Sequence, residues 1–487
     1  MDERLMQPIG PYRPDMVASN AGVSANVRNV LMRRDETGVA HGPHPSLAIP
    51  AGAGALPATP LGGAAVVLRS GSKKVFVGTA ATVQEMSNSF TWTEIDNGFA
   101  VPSGDKWSMR QFGTYLVMTN TVDGLLAYNV ETPAGLNAVS GAPAFKSLFV
   151  AFDCLFGCVS DDDTLLFRNS APNDHTNWTT AGAGYQPLAD GEALMGGGEI
   201  SQGYAIVLQR KAVHLLQRTG DRKIFNRVKL EDGTGSVNPW GIVGARGALY
   251  FCDTDGFKRA SQNGVEVIGQ DKVNRTFIDE LAGSLDGIEG AFDAANQRIV
   301  WRYQEKAAAS ETVFPGFMAF DLRLNEFVPV DTSTTALFSM ASPGYTADNA
   351  SALGNVDTVP YGPDSRFWVG GEEGLLGINS DFKAGFFNGT NLAAEVETAT
   401  LVSNTSDTTT RVTVMTDASA ATVSMGYRER LADTATYTTA ATMDTNGTTS
   451  VRSAGKLQSA KVNVAAGEDW HFIRGVRFDE VAIGGAR

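Results

Sequence analysis

A pair of strand-like segments joined by a tight polar turn recurs seven times along this chain, and this repeat constrains the fold more than any other feature. The first members start about 40 to 50 residues apart, with one gap near 70, a period typical of four-stranded propeller blades. The sequence therefore predicts an all-β fold based on a β-propeller of about seven blades, or six if one pair is an insertion. The first members are KVFVG at Lys74, TYLVMT at Thr114, CLFGCVS at Cys154, YAIVLQ at Tyr204, ALYFCD at Ala248, RIVWRY at Arg298 and RFWVGG at Arg366.

Helical periodicity is almost absent from the chain. Its one occurrence lies between Gln270 and Gly283, where apolar residues follow a 3.6-residue period. We predict a single short helix there, packed on the outside of the propeller and stopped by Gly283. The apolar positions of this helix are Val273, Phe277, Ile278 and Leu281.

Changes in composition divide the chain into three parts. Residues 1–60 are rich in proline and end in the run AGAGALPATP, so we expect an extended arm that crosses the surface or reaches a neighbouring molecule. Within this arm, a strand between Leu31 and Ala48 is expected to complete the last blade and close the propeller of residues 61–386. Residues 387–487 contain alternating Val/Thr segments between polar turns, which predicts a C-terminal antiparallel domain resembling a β-sandwich.

The three cysteines are too few for a disulfide framework. Cys154 and Cys158 lie on one face of a predicted strand, but roughly 13 Å apart, beyond the roughly 7 Å limit for a disulfide. We therefore predict buried free thiols. The first residues contain no apolar signal-peptide core and no apolar run is long enough to span a membrane, so the sequence predicts a protein made and folded in a reducing cytoplasm.

No catalytic or cofactor-binding pattern is recognisable, and none of the five histidines lies in a nucleophile motif. His41 and His44 have two interpretations: a pair of metal ligands, or solvated histidines in a proline-rich loop. No cysteine or carboxylate completes a metal site there, which favours the second interpretation. His214 is expected to fill a strand position. The acidic run Asp161 to Asp163 lacks the glycine and spacing of a calcium loop and is predicted to be a solvated turn. The other two histidines are His175 and His471.

Some propellers cleave glycans, and those of the sialidase type carry Asp-box turns of the form Ser-x-Asp-x-Gly-x-x-Trp. Neither Ser87 to Trp92 nor Pro172 to Trp178 keeps the Asp and Gly in register. The WD and kelch signatures are missing as well. The tryptophans recur about once per blade, as core aromatic residues do, and we predict a structural role for them. They are Trp92, Trp107, Trp178, Trp240, Trp301, Trp368 and Trp470.

The charge balance argues against a protein that holds nucleic acid by attraction. The formal net charge is −14, and no basic block exceeds a pair such as Arg33-Arg34. An acidic wall suits a tube through which DNA slides, because like charges repel the phosphates. A role in solubility alone explains the charge equally well.

Six phrases follow one another along the chain: IGPYRPDM, VFVGTAATVQEM, WSMRQFGTYLVMTN, RNSAPNDHTNWTT, ADGEALMGGG and ALYFCDTDGFKRASQNGVEVIGQDKVNRTFIDEL. In this order they resemble the tail nozzle (tail tubular) proteins of short-tailed bacteriophages. The resemblance covers most of residues 7–330 and, more loosely, the C-terminal domain, while the Ala/Gly-rich linker before Leu61 departs from the family. None of the phrases is a catalytic signature, so their order carries the resemblance.

The resemblance implies a virion structural protein, located in the phage tail and made in the host bacterial cytoplasm. It implies a homo-hexameric ring below the portal and adaptor that continues the DNA-ejection conduit and helps to retain packaged DNA. Its partners would be the portal–adaptor ring, tail fibre, spike or needle proteins, and double-stranded DNA passing through an acidic lumen. It implies no enzyme activity, catalytic residue, metal or cofactor.

Two other functions stay open at the level of sequence. A propeller that binds or cleaves a host-surface glycan would show Trp, Tyr and carboxylate side chains clustered at one propeller mouth. A cytoplasmic interaction scaffold rests on analogy of fold alone.

Overall fold

The computed structural model describes residues 6–17, 19, 22–35, 38–159, 164–180, 182–219, 225–306, 314–341 and 373–482. Within these residues the chain forms seven four-stranded antiparallel sheets and one sheet of eleven strands. The first strand of each small sheet contacts the first strand of the next, and the seventh contacts the first. This closed ring is a seven-bladed β-propeller, as the repeat predicted.

The blades follow one another in chain order, each beginning with its innermost strand. Blade 1 consists of Gly63–Val67, Lys73–Gly78, Thr82–Met86 and Trp92–Asn97. Blade 2 consists of Ser108–Phe112, Tyr115–Asn120, Gly124–Asn129 and Asn137–Ala138. Blade 3 consists of Phe145–Ala151, Cys154–Val159, Leu166–Asn169 and Gly184–Pro187. Blade 4 consists of Leu194–Ser201, Tyr204–Gln209, Ala212–Arg218 and Phe225–Asp232. Blade 5 consists of Val243–Ala245, Ala248–Asp253, Gly256–Ser261 and Gly264–Val267. Blade 6 consists of Glu289–Asp293, Arg298–Tyr303, Gly316–Asp321 and Glu326–Val330. Blade 7 consists of Ala336–Ala341, Glu373–Ile378, Ala384–Asn391 and Pro45–Ala48.

The repeated pairs are the second and third strands of blades 1 to 6, as their alternation and turns indicated. In blade 7 the predicted first member at Arg366 lies outside the described residues. The predicted second member there, GLLGINS from Gly374 to Ser380, coincides with the strand Glu373–Ile378, which is the second strand of its blade and pairs with the innermost strand.

The closing strand Pro45–Ala48 comes from the N-terminal part of the chain. It pairs antiparallel with the third strand of blade 7, placing Ala48 opposite Phe386 and Leu47 opposite Phe387. The prediction that a strand between Leu31 and Ala48 completes the last blade is confirmed. Because the first and last parts of the propeller sequence meet in one blade, the ring is held shut by backbone hydrogen bonds.

The eleven-stranded second sheet combines both ends of the chain. Two of its strands are 16 and 17 residues long, bend at irregularities, and pair with different partners along their lengths. The C-terminal strands therefore form one continuous, nearly closed sheet. Its members are Met6–Pro8, Val27–Arg28, Val30–Asp35, Gly38–Pro43, Ala394–Glu397, Leu401–Thr416, Ala421–Arg428, Thr436–Tyr437, Ala441–Thr442, Thr448–Val464 and Ile473–Ala482.

The N-terminal segment that the sequence presented as an extended arm contributes five strands to the sheets of this same chain. Met6 pairs with Arg477, and Val27 pairs with Val396. Ile9 and Val30 are each only 1% exposed and belong to the shared core. The high proline content of this segment suggested an extended arm, but its apolar residues bury enough surface to hold the segment in place.

The predicted helix is present but shorter than its pattern. An α-helical turn at Asn274–Thr276 continues as a π-helical turn at Phe277–Leu281, and a 3₁₀ turn follows at Leu285–Gly287. The chain leaves the helix at Ala282, which is extended, so the predicted stop at Gly283 is one residue late. Phe277 packs against Phe257 at 4.7 Å and Tyr303 at 4.9 Å, on the outside of blades 5 and 6.

The cysteines are free and buried, as predicted. Burial raises the pKa of Cys154 and of Cys158 to about 11, so both are neutral thiols at physiological pH. None of the helices in the described ranges is long and apolar enough to cross a membrane.

Candidate functional site

The inner strands of the seven blades surround a central channel, the natural place to look for a ligand site in a propeller. Its main cavity has a volume of about 490 Å³, and a narrower pocket of about 120 Å³ lies at the mouth where the inner strands begin. Several wall positions are glycine, which leaves the channel open. These glycines are Gly63, Gly197, Gly198, Gly244 and Gly290.

A compact ion cluster occupies the narrow mouth. Glu289 accepts two hydrogen bonds from Arg302, at 2.7 and 2.6 Å, and also pairs with Lys106. The three side chains are 16%, 4% and 19% exposed, in the order Glu289, Arg302, Lys106. Burial lowers the pKa of Arg302 to about 9, which leaves the guanidinium charged at neutral pH. Both oxygens of Glu289 are therefore held by cations.

The channel offers only a weak basis for glycan cleavage. The carboxylates that line its described walls belong to Glu199 and Glu289. Glu289 is the first residue of its inner strand, whereas Glu199 is the sixth of its own. The main cavity is lined by residues 197–199 of one strand and 290–292 of the other, so Glu199 lies level with Phe292, roughly 10 Å along the channel from Glu289. The two catalytic carboxyl groups of a glycosidase lie roughly 5 to 9.5 Å apart.

A substitution in this cluster separates a structural carboxylate from a catalytic one. We expect Glu289→Gln to destabilise folding by about 2 kcal/mol, because the buried Arg302 guanidinium loses its counter-charge. Glu199→Gln is the matched control, since Glu199 is exposed in the same channel and its unfolding free energy is expected to stay within about 0.5 kcal/mol. Urea unfolding of both variants measures the difference, and equal stabilities contradict the structural role.

Tryptophans mostly serve the core, as predicted. Trp107, Trp178, Trp301 and Trp470 are between 0% and 5% exposed. The indole N–H of Trp107 donates to the carbonyl of Thr79 at 2.8 Å, which fixes the ring between blades 1 and 2. The remaining three tryptophans differ: Trp92 and Trp240 are half-buried, and Trp368 lies outside the described residues.

The solvated interpretation of His41 and His44 was wrong. His41 lies within the strand Gly38–Pro43 and pairs with Ile473, while His44 packs edge-on against Phe317 and Phe387. Both are 0% exposed because their segment passes between the second sheet and blade 7. Burial lowers the pKa of His41 to about 4 and takes that of His44 well below its ordinary value.

His214 fills a buried strand position, as predicted, with Nε2 at 2.8 Å from the Gln209 side-chain oxygen. Burial is the main cause that lowers its pKa to about 4. His175 is buried beside Tyr115, and His471 is exposed beside Asp417. No cluster of three or more metal-ligating side chains occurs within the described ranges. The run Asp161 to Asp163 lies outside them.

A second candidate site is the joint between the second sheet and blades 5 and 6. Asp15, in the segment IGPYRPDM, accepts hydrogen bonds from the backbone N–H groups of Arg275 and Thr276, both at 2.9 Å, and from the Thr276 hydroxyl at 2.7 Å. Nearby, Arg13 pairs with Glu326. One apolar cluster extends across the joint from the second sheet into blades 5 and 6. The second sheet and the propeller therefore share one apolar core at this joint.

We expect Asp15→Ala to destabilise the joint by about 2 kcal/mol. The change leaves the first helical N–H groups without an acceptor and removes a negative charge from the helix N-terminus. Asp381→Ala provides the control, because Asp381 is exposed and its carboxylate makes no hydrogen bond or ion pair within the described residues. Thermal unfolding of both variants checks this, and an Asp15 variant as stable as the Asp381 variant refutes it.

Other phrases that carry the family resemblance also meet in the structure. A Cβ on Gly78 would lie 2.1 Å from the Trp107 ring, so glycine is required where blade 1 meets that tryptophan. Gly256 and Gly269 likewise leave room for the Asn274 side chain, whose oxygen accepts the Phe257 N–H at 3.1 Å. At these three glycines the phrases act as packing elements.

Sequence reasoning missed both the ion cluster and the joint. For the cluster, the only signal was the charged Arg302 inside an otherwise apolar run, RIVWRY. For the joint, the signal was the phrase IGPYRPDM itself, whose partner lies about 260 residues further along the chain. Neither partner is visible from sequence spacing.

Comparison with known proteins gives similarity of fold alone. No protein-family model and no curated protein matches the chain. A nidogen/laminin complex structure matches 53% of this chain and 93% of its own at 9% identity, with a TM-score of 0.33. Virginiamycin B lyase from Staphylococcus aureus matches 56% of this chain and 83% of its own at 12% identity, with a TM-score of 0.37. BamB from Moraxella catarrhalis matches 40% and 55% at 14% identity, with a TM-score of 0.28.

Such distant similarities carry no inference about activity. The propeller assignment itself rests on the seven sheets and their closed ring of contacts.

Proposed function

We propose that this chain is a structural protein of a short-tailed phage tail, a nozzle subunit without enzymatic activity. Six copies would form a ring below the portal and adaptor, continue the DNA-ejection conduit and help to retain packaged DNA. The finished protein would reside in the virion after synthesis in the host cytoplasm. The proposal starts from the ordered sequence phrases that resemble nozzle proteins.

The observation that carries the proposal is the position of those phrases in the fold. IGPYRPDM lies at one end of the resembling region and the helix phrase FIDEL lies near the other, and the Asp15 carboxylate joins them through the N–H groups of Arg275 and Thr276. A resemblance that falls on packing joints supports a mechanical role. It gives no support to a catalytic one.

The acidic balance of the chain fits a conduit. A net charge of −14 repels DNA phosphates, which favours sliding over binding. Each propeller has a closed core and no free blade edge at its seam, so it is suited to act as a rigid block in a ring.

A glycan-binding propeller is the second candidate, because the central channel is open and presents the exposed side chains of Arg110 and Glu199. Glu289 is already held through both oxygens by Arg302, which disfavours cleavage and leaves binding as the form of this alternative. A glycan array distinguishes the two candidates, since a nozzle subunit is expected to bind no glycan above background.

Mass photometry tests the ring directly. The proposal predicts that the adaptor–portal assembly gains about six times the 51.6 kDa chain mass when it is mixed with the protein. Particles of single-chain mass under all conditions, together with specific glycan binding, would replace the nozzle proposal with the second candidate.

A further inference from the structure

The second sheet presents an open strand edge to a groove. The groove has a volume of about 590 Å³ and lies between the hairpin strand Val30–Asp35 and the turns of blade 6. Four consecutive hairpin residues, Leu31 to Arg34, line it. Alternate side chains of a strand point to opposite faces, so a consecutive run of lining residues means that the strand faces the groove with its edge.

The hairpin geometry indicates which backbone groups face the groove. Asp35 and Gly38 close a two-residue loop, and such a closing pair exchanges hydrogen bonds. Because bonded and non-bonded pairs alternate, the N–H and C=O groups of Met32 and Arg34 point away from the partner strand. No backbone hydrogen bond from outside the hairpin reaches Met32 or Arg34 within the described ranges.

The described walls of the groove are cationic. Arg33 and Arg34 are exposed and have no ion-pair partner among the described side chains, and Arg323 faces them from blade 6. The single carboxylate in the wall, Asp321, is already occupied by Arg323 at 3.0 Å and by the backbone N–H groups of Arg323 and Leu324. Cationic side chains are thus concentrated here in a chain whose net charge is −14.

We propose that this groove binds an extended acidic segment of a partner protein by strand addition. The segment would pair with the outward-facing backbone groups of Arg34 and run past the exposed Arg33 and Arg34, because Val30 and Met32 of the same strand are buried. Its carboxylates would meet Arg33, Arg34 and Arg323 in charge-assisted hydrogen bonds. The acidic remainder of the surface repels such a segment, so charge directs it to this groove. The inference holds whether or not the chain is a tail nozzle.

The test uses the full chain and fluorescence anisotropy with a labelled peptide of about eight residues that alternates Val and Glu. A peptide with Lys in place of Glu controls for charge, and the same acidic peptide with N-methylated backbone positions controls for strand pairing. We expect the acidic peptide to bind, and both control peptides to bind at least about tenfold more weakly.

Variants connect the binding to the groove. Arg34→Glu is expected to weaken binding of the acidic peptide by about tenfold or more, and Arg34→Gln by less. Arg69→Glu is the matched control, because Arg69 is an exposed arginine on a loop of blade 1, and it should bind like the unaltered protein. Circular dichroism confirms that each variant is folded.

Two results would overturn the proposal. One is equal binding of the acidic and lysine peptides, or equal binding by the Arg34→Glu and Arg69→Glu variants. The other is the absence of peptide binding; a lower oligomeric mass of Arg34→Glu would then assign the groove to a second copy of this chain.

Discussion

A chain that lacks residues 1–48 is expected not to fold into a stable propeller. The truncation removes the closing strand of blade 7 and four of the eleven strands of the second sheet. It also removes five buried apolar anchors, whose burial contributes about 10 kcal/mol, as much as the whole stability of a typical domain. These anchors are Ile9, Tyr12, Val27, Val30 and Met32.

The measurement is the yield of soluble protein together with its near-ultraviolet circular dichroism. A control chain that starts at Met6 retains every described residue and is expected to behave like the full chain. Soluble truncated protein with native near-ultraviolet signals would show that the N-terminal strands are dispensable.

Single substitutions beside the closing strand test the same prediction. A Cβ on Gly385 would lie 2.0 Å from the Ala48 carbonyl, so Gly385→Ala must push the closing strand away and should cost about 3 kcal/mol. In Gly374→Ala, on the neighbouring strand of blade 7, the new methyl group meets only the Phe386 ring at 3.9 Å. This control is expected to cost less than about 1 kcal/mol.

Acid is expected to unfold the protein through its buried histidines. The pKa of His41 and of His214 is about 4 in the folded chain, against about 6.5 when unfolded. A lowered pKa means that stability is full above pH 6.5 and is lost as the pH falls toward 4. Each of the two contributes a loss of about 3 kcal/mol. His44, which faces Arg298, adds a further loss in the same direction.

Urea unfolding at a series of pH values checks this prediction. His41→Leu removes one buried titrating ring, so the decrease in unfolding free energy between pH 7 and pH 4 should shrink by about 3 kcal/mol. His471→Leu is the control, because His471 is exposed. This change should leave the decrease in unfolding free energy between pH 7 and pH 4 unchanged to within about 1 kcal/mol. Parallel pH profiles for the unaltered protein and the His41 variant would contradict the mechanism.

The propeller could be predicted from sequence because its signal is local. Each blade contains adjacent strands joined by short turns, so runs such as Tyr204–Gln209 and Ala212–Arg218 reveal both strands and their pairing. The closing strand was also predictable, since a ring of blades leaves an edge that some distant segment must cover. The second sheet was predicted only in part, because its N-terminal strands pair with residues more than 350 positions away.

The candidate sites were less predictable, and for one physical reason. Burial of a polar residue depends on what packs against it, and that information is long-range. His41 and His44 in a proline-rich segment suggested solvent, yet the segment lies between two domains. Glu289 and Lys106 gave no motif, because their interaction depends on blades 2 and 6 converging at one mouth.

Negative-stain electron microscopy of the purified protein, alone and mixed with its portal and adaptor, tests the nozzle proposal most directly. The proposal predicts six-membered rings with an open centre, or a short tube that extends the adaptor. Particles that remain single and never join the portal–adaptor assembly would contradict it.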